Sequence, residues 1–321
     1  MAKRALLVGI DHYKRFDNLN CCVDDARQVA VLLSAHEDGS PNYACTTMLS
    51  TSRKLVVTEA SLRAALRELT RDATNEDDRL FYFSGHGMVV DGEGALVTQD
   101  AIPDDVGFPM YELLRLVNRC RAGSVMVILD CCHSGEMGNT GDGRDINQTT
   151  LTEGVTILAA SRPEELSQEG MFNSLFTGLV IDALKGGAAD ARGHVSAASI
   201  YGYVEQALGP WQQRPLYKSY AQCLAPMRLC KPTTPDETLR DLPRLFRGPD
   251  AKLKLDRSWE HSEGNDPKNV AKFNQLKELR NGRLLETEDN LDLYYVAMNS
   301  RHVYLTEQGR LYWQLAKKRF I

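Results

Sequence analysis

The sequence predicts an α/β fold with helices on both faces of a mostly parallel sheet. Four short runs of almost continuous apolarity punctuate the first two-thirds of the chain, and segments of helical periodicity lie between them. Continuous apolarity is how a strand buried on both faces reads, and strands alternating with helices assemble into a helix-covered parallel sheet. The composition, 43% apolar and 25% charged, is that of a globular protein. It excludes disordered, collagen-like and coiled-coil classes.

The first strand is expected over residues 4–10, and the first helix over 24–34, where Ala26, Val29, Ala30 and Leu33 share one face. A second helix follows over 58–73, with Leu62, Ala65, Leu66 and Leu69 inward and Glu59 in its first turn. Strands at 79–83, 124–129 and 155–160 then alternate with helices at 111–117 and 174–184. In such folds active sites gather at the carboxyl ends of the strands. Pro210, Pro215, Pro226 and Pro232 then break any long helix, and Lys231-Pro232-Thr233-Thr234-Pro235-Asp236 reads as a linker.

The expected boundary separates residues 1–231, net charge −7, from residues 232–321, net charge +2. The second region predicts helices at 269–280, 290–298 and 307–318, a turn at Asn281-Gly282, a short strand after it and another at 303–305. That succession suggests a small winged-helix-like domain. Its aromatics, among them Trp259, Tyr294, Tyr295, Tyr304, Tyr312 and Trp313, fit a core better than a base-stacking surface.

A net charge of −5 argues against a nucleic-acid partner. No apolar run is long enough to span a membrane. The early apolar stretch stops at Asp11 and His12, too soon for an export signal, so a cytoplasmic location is expected. There the eight cysteines would be thiols.

Two motifs directly follow predicted buried strands: Ser84-Gly85-His86-Gly87 and Asp130-Cys131-Cys132-His133-Ser134-Gly135. A histidine and a cysteine at two strand ends can meet in space, which is what nucleophilic thiol catalysis requires. His86 would take the proton of Cys132; His133, being adjacent to the thiol, would project away from it. The backbone amides of Gly87 and Cys132 would form an oxyanion hole. A buried, inert thiol and an ordinary histidine are the plain alternative for either motif alone. A zinc site fits poorly, because no CxxC pair exists. The glycines from Gly138 to Gly143 follow no strand, which weakens a phosphate loop.

Together the two motifs resemble the His and Cys motifs of caspase-like cysteine peptidases, the metacaspases and prokaryotic caspase homologues. Leu6-Leu7-Val8-Gly9-Ile10 with Cys22-Val23-Asp24-Asp25-Ala26 resembles the family's first strand and helix. Thr156-Ile157-Leu158-Ala159-Ala160-Ser161 resembles the strand after the nucleophile. The resemblance covers roughly residues 1–230 and implies a caspase-like three-layer αβα sandwich and a cysteine endopeptidase. It also implies a substrate-binding S1 pocket of Asp25, Ser84 and Asp130, selecting Arg, and Lys more weakly, on the amino side of the cut. Asp24 is the alternative to Asp25, and Asp25 could instead simply cap or decorate the first helix.

Arg144, in a glycine-rich segment, is a candidate processing site. No cofactor or metal is expected. Calcium, used by some metacaspases, stays open, since Asp91, Glu93, Asp100, Asp104, Asp105 and Asp142 form no EF-hand pattern. The resemblance suggests a regulated zymogen in a bacterial stress, cell-death or anti-phage pathway. Its substrates would be proteins with exposed arginine, and the tail would receive an upstream activating protein or protease. A catalytically silent protein-binding module is the alternative, and a transcription regulator a more distant one.

Overall fold

The apolar run at the start of the chain forms strand β1 (Lys3–Ile10), whose last six residues are buried. The computed structural model describes residues 1–52, 55–90, 93–102, 105–131, 150–160, 172–208, 215–221, 225–260 and 266–321. Helix α1 (Cys22–Ser34) begins two residues earlier than expected and buries the predicted Ala26, Val29, Ala30 and Leu33. Strand β2 (Ala44–Ser50) was not expected: among the described residues it pairs with β1 alone, at the edge of the sheet, and its half-exposed residues carry no apolar signature. Helix α2 (Glu59–Thr70) opens on Thr58, whose hydroxyl accepts the Ser61 N–H while the Ser61 hydroxyl accepts that of Thr58.

Strand β3 (Asp78–Ser84) is buried at every position. Strands β4 (Gly87–Val90), β5 (Glu93–Ile102) and β6 (Asp105–Pro109) make a separate antiparallel sheet. Helix α3 (Met110–Arg119), β7 (Ser124–Asp130), β8 (Val155–Ala159) and α4 (Phe172–Asp182) follow. Beyond a π-turn at Ala183–Gly187 come β9 (His194–Val195), α5 (Ala197–Ala207), β10 (Leu216–Tyr220) and β11 (Arg228–Leu229).

The main sheet runs β10-β8-β7-β3-β1-β2, parallel throughout except for β10. Successive side chains of a strand point to opposite faces, and the two cores follow that alternation. Phe81, Phe83, Val127 and Leu129 pack with Leu62 and Leu66 of α2 and Leu113 of α3. Leu80, Tyr82, Met126 and Ile128 face the other way, against Val29 of α1, Val180 of α4 and Ile200 of α5. Helices therefore cover both faces, as the sequence predicts. Polar residues at the carboxyl ends of β3 and β7 inherit this division, which is what builds the site described below.

The chain divides into two units, Met1–Ala189 with His194–Cys230, and Asp190–Gly193 with Lys231–Ile321. In the second, helix α6 (Asp236–Leu245) starts where the linker was expected to end. Leu239, Leu242 and Leu245 line its buried face, and Pro243 obscured it in the sequence. Then come β12 (Leu253–Lys254), α7 (Pro267–Asn281), β13 (Leu285–Thr287), α8 (Leu293–Met298), β14 (His302–Leu305) and α9 (Glu307–Lys317). The three strands form an antiparallel sheet in the order β12-β14-β13.

This unit's core is mainly aliphatic, with Trp259, Phe273 and Tyr312 buried in it. Tyr294 and Tyr295 stay exposed, contrary to expectation, because Leu293, Val296 and Ala297 take the inward face of the short helix α8. Within the unit, Arg192 grips both carboxylate oxygens of Asp236 at 2.8 Å.

Candidate active site

Strands β3 and β7 lie side by side in register, with Ser84 opposite Asp130. Ser84 continues the Leu80–Tyr82 face and Asp130 the Met126–Ile128 face, so both point toward the layer of α1 and α4. Both are fully buried. Asp25 enters from the first turn of α1 and is also buried, at 6% exposure. Asp24 is exposed and pairs with Arg27 at 2.8 Å. Thus Asp25, not its neighbour, occupies the buried side of the helix. Gly9 on β1 permits this close approach of α1, since a Cβ there would lie 2.3 Å from the Cys22 carbonyl oxygen.

Burial pushes the Asp25 carboxyl up to about 7, and the negative charges of Cys21, Asp11 and Asp24 add to the rise. The Ser84 hydroxyl stands near enough to oppose that rise. Even so, neither Asp25 Oδ2 nor Ser84 Oγ completes a well-formed hydrogen bond among the described residues. Asp130 Oδ2 accepts the Thr177 hydroxyl at 2.6 Å, and Thr177 Oγ1 lies 2.7 Å from the Tyr82 hydroxyl. Burial, together with Asp130 and Asp25, raises the Tyr82 phenol well above its ordinary value. Two carboxyls, two hydroxyls and a phenol thus cluster, buried, at one rim of the sheet. A group bearing several positive N–H donors could satisfy its acceptors.

Neither Tyr82 nor Thr177 was assigned to the site from the sequence. Tyr82 is hidden in an apolar strand, and Thr177 shares a buried helix face with Val180 and Ile181. A hydroxyl within each apolar pattern was the available signal. Cys21 and Cys22 flank the same pocket. The neighbouring thiol draws Cys21 down to about 7, while Cys21 and burial push Cys22 up.

The chain turns at Gly85, whose N–H donates to the Asp130 carbonyl at 3.2 Å, and leads into His86. His86 is partly exposed, and its Nε2 lies 2.8 Å from the backbone carbonyl of Asp17. A carbonyl can only accept, so Nε2 carries the hydrogen, and in the neutral ring Nδ1 keeps a lone pair able to take a proton. The Val97 N–H donates to the His86 carbonyl at 3.0 Å, which makes Gly87 and Leu96 a non-hydrogen-bonded pair of the β4–β5 ladder. The ladder therefore does not use the Gly87 N–H.

Cys131 is buried on the Phe83–Leu129 face. Cys132, His133 and Arg144 lie outside the described residues, and so do Asp91, Asp104 and Asp142. Among the described residues, no group of three or more His, Cys, Asp or Glu side chains is placed to hold a metal ion. The six cysteines among them are free thiols. No helix among them is long and apolar enough to cross a membrane.

An imidazole and a buried acid pair at one rim of a helix-covered sheet are a layout suited to a peptidase. The caspase-domain family model matches residues 2–227, and the chain belongs to this family of cysteine peptidases. It is similar to metacaspase-1A of Aspergillus oryzae, 30% identical over 149 residues, which cover 41% of this chain and 34% of the relative. Metacaspase-7 of Arabidopsis thaliana is 29% identical over 143 residues, 42% of this chain and 35% of the relative. Metacaspase-1 of Schizosaccharomyces pombe is 25% identical over 209 residues, 61% and 44% of the two chains. The matched part thus spans between a third and a half of these relatives' lengths. Among solved structures, a Geobacter sulfurreducens protein shares the fold, with a TM-score of 0.52 and 21% identity over 72% of this chain and all of its own.

Proposed function

We propose that the protein is a cysteine endopeptidase that cleaves after arginine, and more weakly after lysine, with Cys132 as nucleophile and His86 as general base. The observation that carries this reading is the buried acid pair, Asp25 and Asp130, at the same sheet rim as His86. A guanidinium can bind two carboxylates through its planar fork, an ammonium only as a point charge, and a substrate aspartate would be repelled.

In the proposed reaction His86 Nδ1 takes the Cys132 proton and the thiolate attacks the scissile carbonyl carbon. The N–H groups of Gly87 and Cys132 receive the developing oxyanion. As the C–N bond breaks, the imidazolium returns its proton to the leaving amine, and a thioester remains. Water, deprotonated by His86, then attacks the thioester; the C–S bond breaks, the imidazolium returns its proton to the departing thiolate, and the released acid gives its proton to solvent. Asp17, through its carbonyl, keeps the working tautomer. Thiol and imidazole supply every step, so the reading includes no cofactor. The cytoplasmic location, the control of a zymogen in bacterial stress, cell death or phage defence, and the adaptor role of the winged-helix-like second unit belong to the same proposal.

A panel of fluorogenic peptides differing only at the residue before the cut tests the pocket. Arginine is expected to exceed lysine, with aspartate not cleaved, and EDTA should leave the order and rates unchanged. Preference for aspartate would refute the pocket assignment. For Arg144, prolonged incubation of the wild type should yield fragments separated at that residue, while Cys132→Ala stays intact. Identical intact masses for both would remove self-processing from the account.

A further inference from the structure

The loop between β1 and α1 holds His86 at three points. The Tyr13 hydroxyl accepts the His86 backbone N–H at 2.8 Å, the Tyr13 ring lies 4.8 Å from the imidazole, and the Asp17 carbonyl lies 2.8 Å from Nε2. Tyr13 is itself buried. The turn before His86 wraps closely over it, since a Cβ on Gly85 would lie 2.6 Å from the phenol oxygen.

The loop in turn is pinned. Leu19 donates its N–H to the Asp11 carbonyl at 2.8 Å, and the Tyr13 N–H donates to Asn18 Oδ1 at 3.0 Å. Behind it stands Gln99, almost wholly buried on β5. Its Nε2 donates to the His12 carbonyl at 3.2 Å, and its backbone carbonyl accepts the Lys14 N–H at 3.1 Å, one on each side of Tyr13. Its Oε1 accepts the N–H groups of Val56 and Val57, both at 2.8 Å. Nε2 also reaches the Ser52 carbonyl at 3.4 Å. A buried amide using both its donor and acceptor ends in this way fixes the segments it joins.

We propose that Tyr13, braced by Gln99, is a positioning residue that sets where the His86 imidazole stands and which of its nitrogens faces the reaction. This rests on the reading of His86 as general base. Neither side chain carries the chemistry; they remove freedom from the group that does. Misplacing a catalytic group by an ångström can cost about a hundredfold in rate.

The test compares Tyr13→Phe, Gln99→Glu and His86→Ala with the wild type in the full-length chain. Tyr13→Phe removes one oxygen and strands the His86 N–H. Gln99→Glu sets a carboxylate oxygen against the His12 and Ser52 carbonyls. Both are expected to lower kcat for an arginyl peptide by about tenfold to a hundredfold, with KM within about twofold, because the acid pocket is untouched. Nitrogen NMR of histidine-labelled protein should show the Nε2–H tautomer of His86 in the wild type and a mixture in both variants, a readout that simple loss of stability would not produce. If His86→Ala abolishes activity while both variants keep wild-type kcat and the Nε2–H signal, the positioning role is wrong and the base assignment stands. If His86→Ala keeps activity, the base assignment fails and the positioning role with it.

Discussion

Replacing His86 with alanine is expected to lower kcat/KM for an arginyl peptide by about a thousandfold to ten-thousandfold, the upper range for loss of a general base. An unassisted thiol is only a few per cent ionised at neutral pH. Without the imidazole, moreover, the proposed reaction loses the group that protonates the leaving amine. The melting temperature should hardly move. His86 is partly exposed, and the variant loses one ring hydrogen bond and one ring contact, a change of about 1 kcal/mol. Steady-state kinetics beside a thermal melt separate the two effects. Activity within tenfold of wild type would contradict the assignment.

Asp25→Asn is expected to make the protein more stable and less active at the same time. The carboxyl ionises near the ordinary aspartate value of 3.8 when unfolded, and burial pushes it up to about 7 in the folded state. Between these values the folded state keeps a proton that the unfolded chain has lost, so stability is full below the lower value and falls until pH reaches about 7. Asparagine removes that dependence. At pH 8 the variant should resist urea better by on the order of 2 to 4 kcal/mol, the gap closing below pH 4. Arginine recognition moves the other way, because it needs the carboxylate: kcat/KM should fall by about thirtyfold to a thousandfold. A variant less stable at pH 8, or one that cleaves after arginine as well as the wild type, would show that Asp25 is not a pocket acid.

The parts of this site legible in the sequence are those whose side chains interrupt a strong pattern. Ser84 and Asp130 end continuous apolar runs, and buried strands ending in polar residues are hard to mistake for anything else. Strands β2 and β10 escaped notice because both lie at sheet edges, half exposed, where alternation is diluted. Asp17 was illegible for another reason. It acts through its backbone carbonyl, which any residue possesses. Tyr13 and Gln99 sit in polar surroundings where an aromatic ring or an amide raises no signal, and only the folded loop shows what they bridge. In the second unit α7 and α9 were expected nearly in full, whereas α6, with Pro243 inside it, was not.

The central claim is that one imidazole, one thiol and one acid pocket act on a single substrate, and a peptidyl-arginine acyloxymethyl ketone addresses all three together. Its thiol adduct, located by tryptic mass spectrometry, is predicted on Cys132 in the wild type. Labelling should be at least about a hundredfold slower in His86→Ala and strongly impaired in Asp25→Asn. Labelling of Cys21 instead, or of Cys132 at equal rates in all three proteins, would contradict the account.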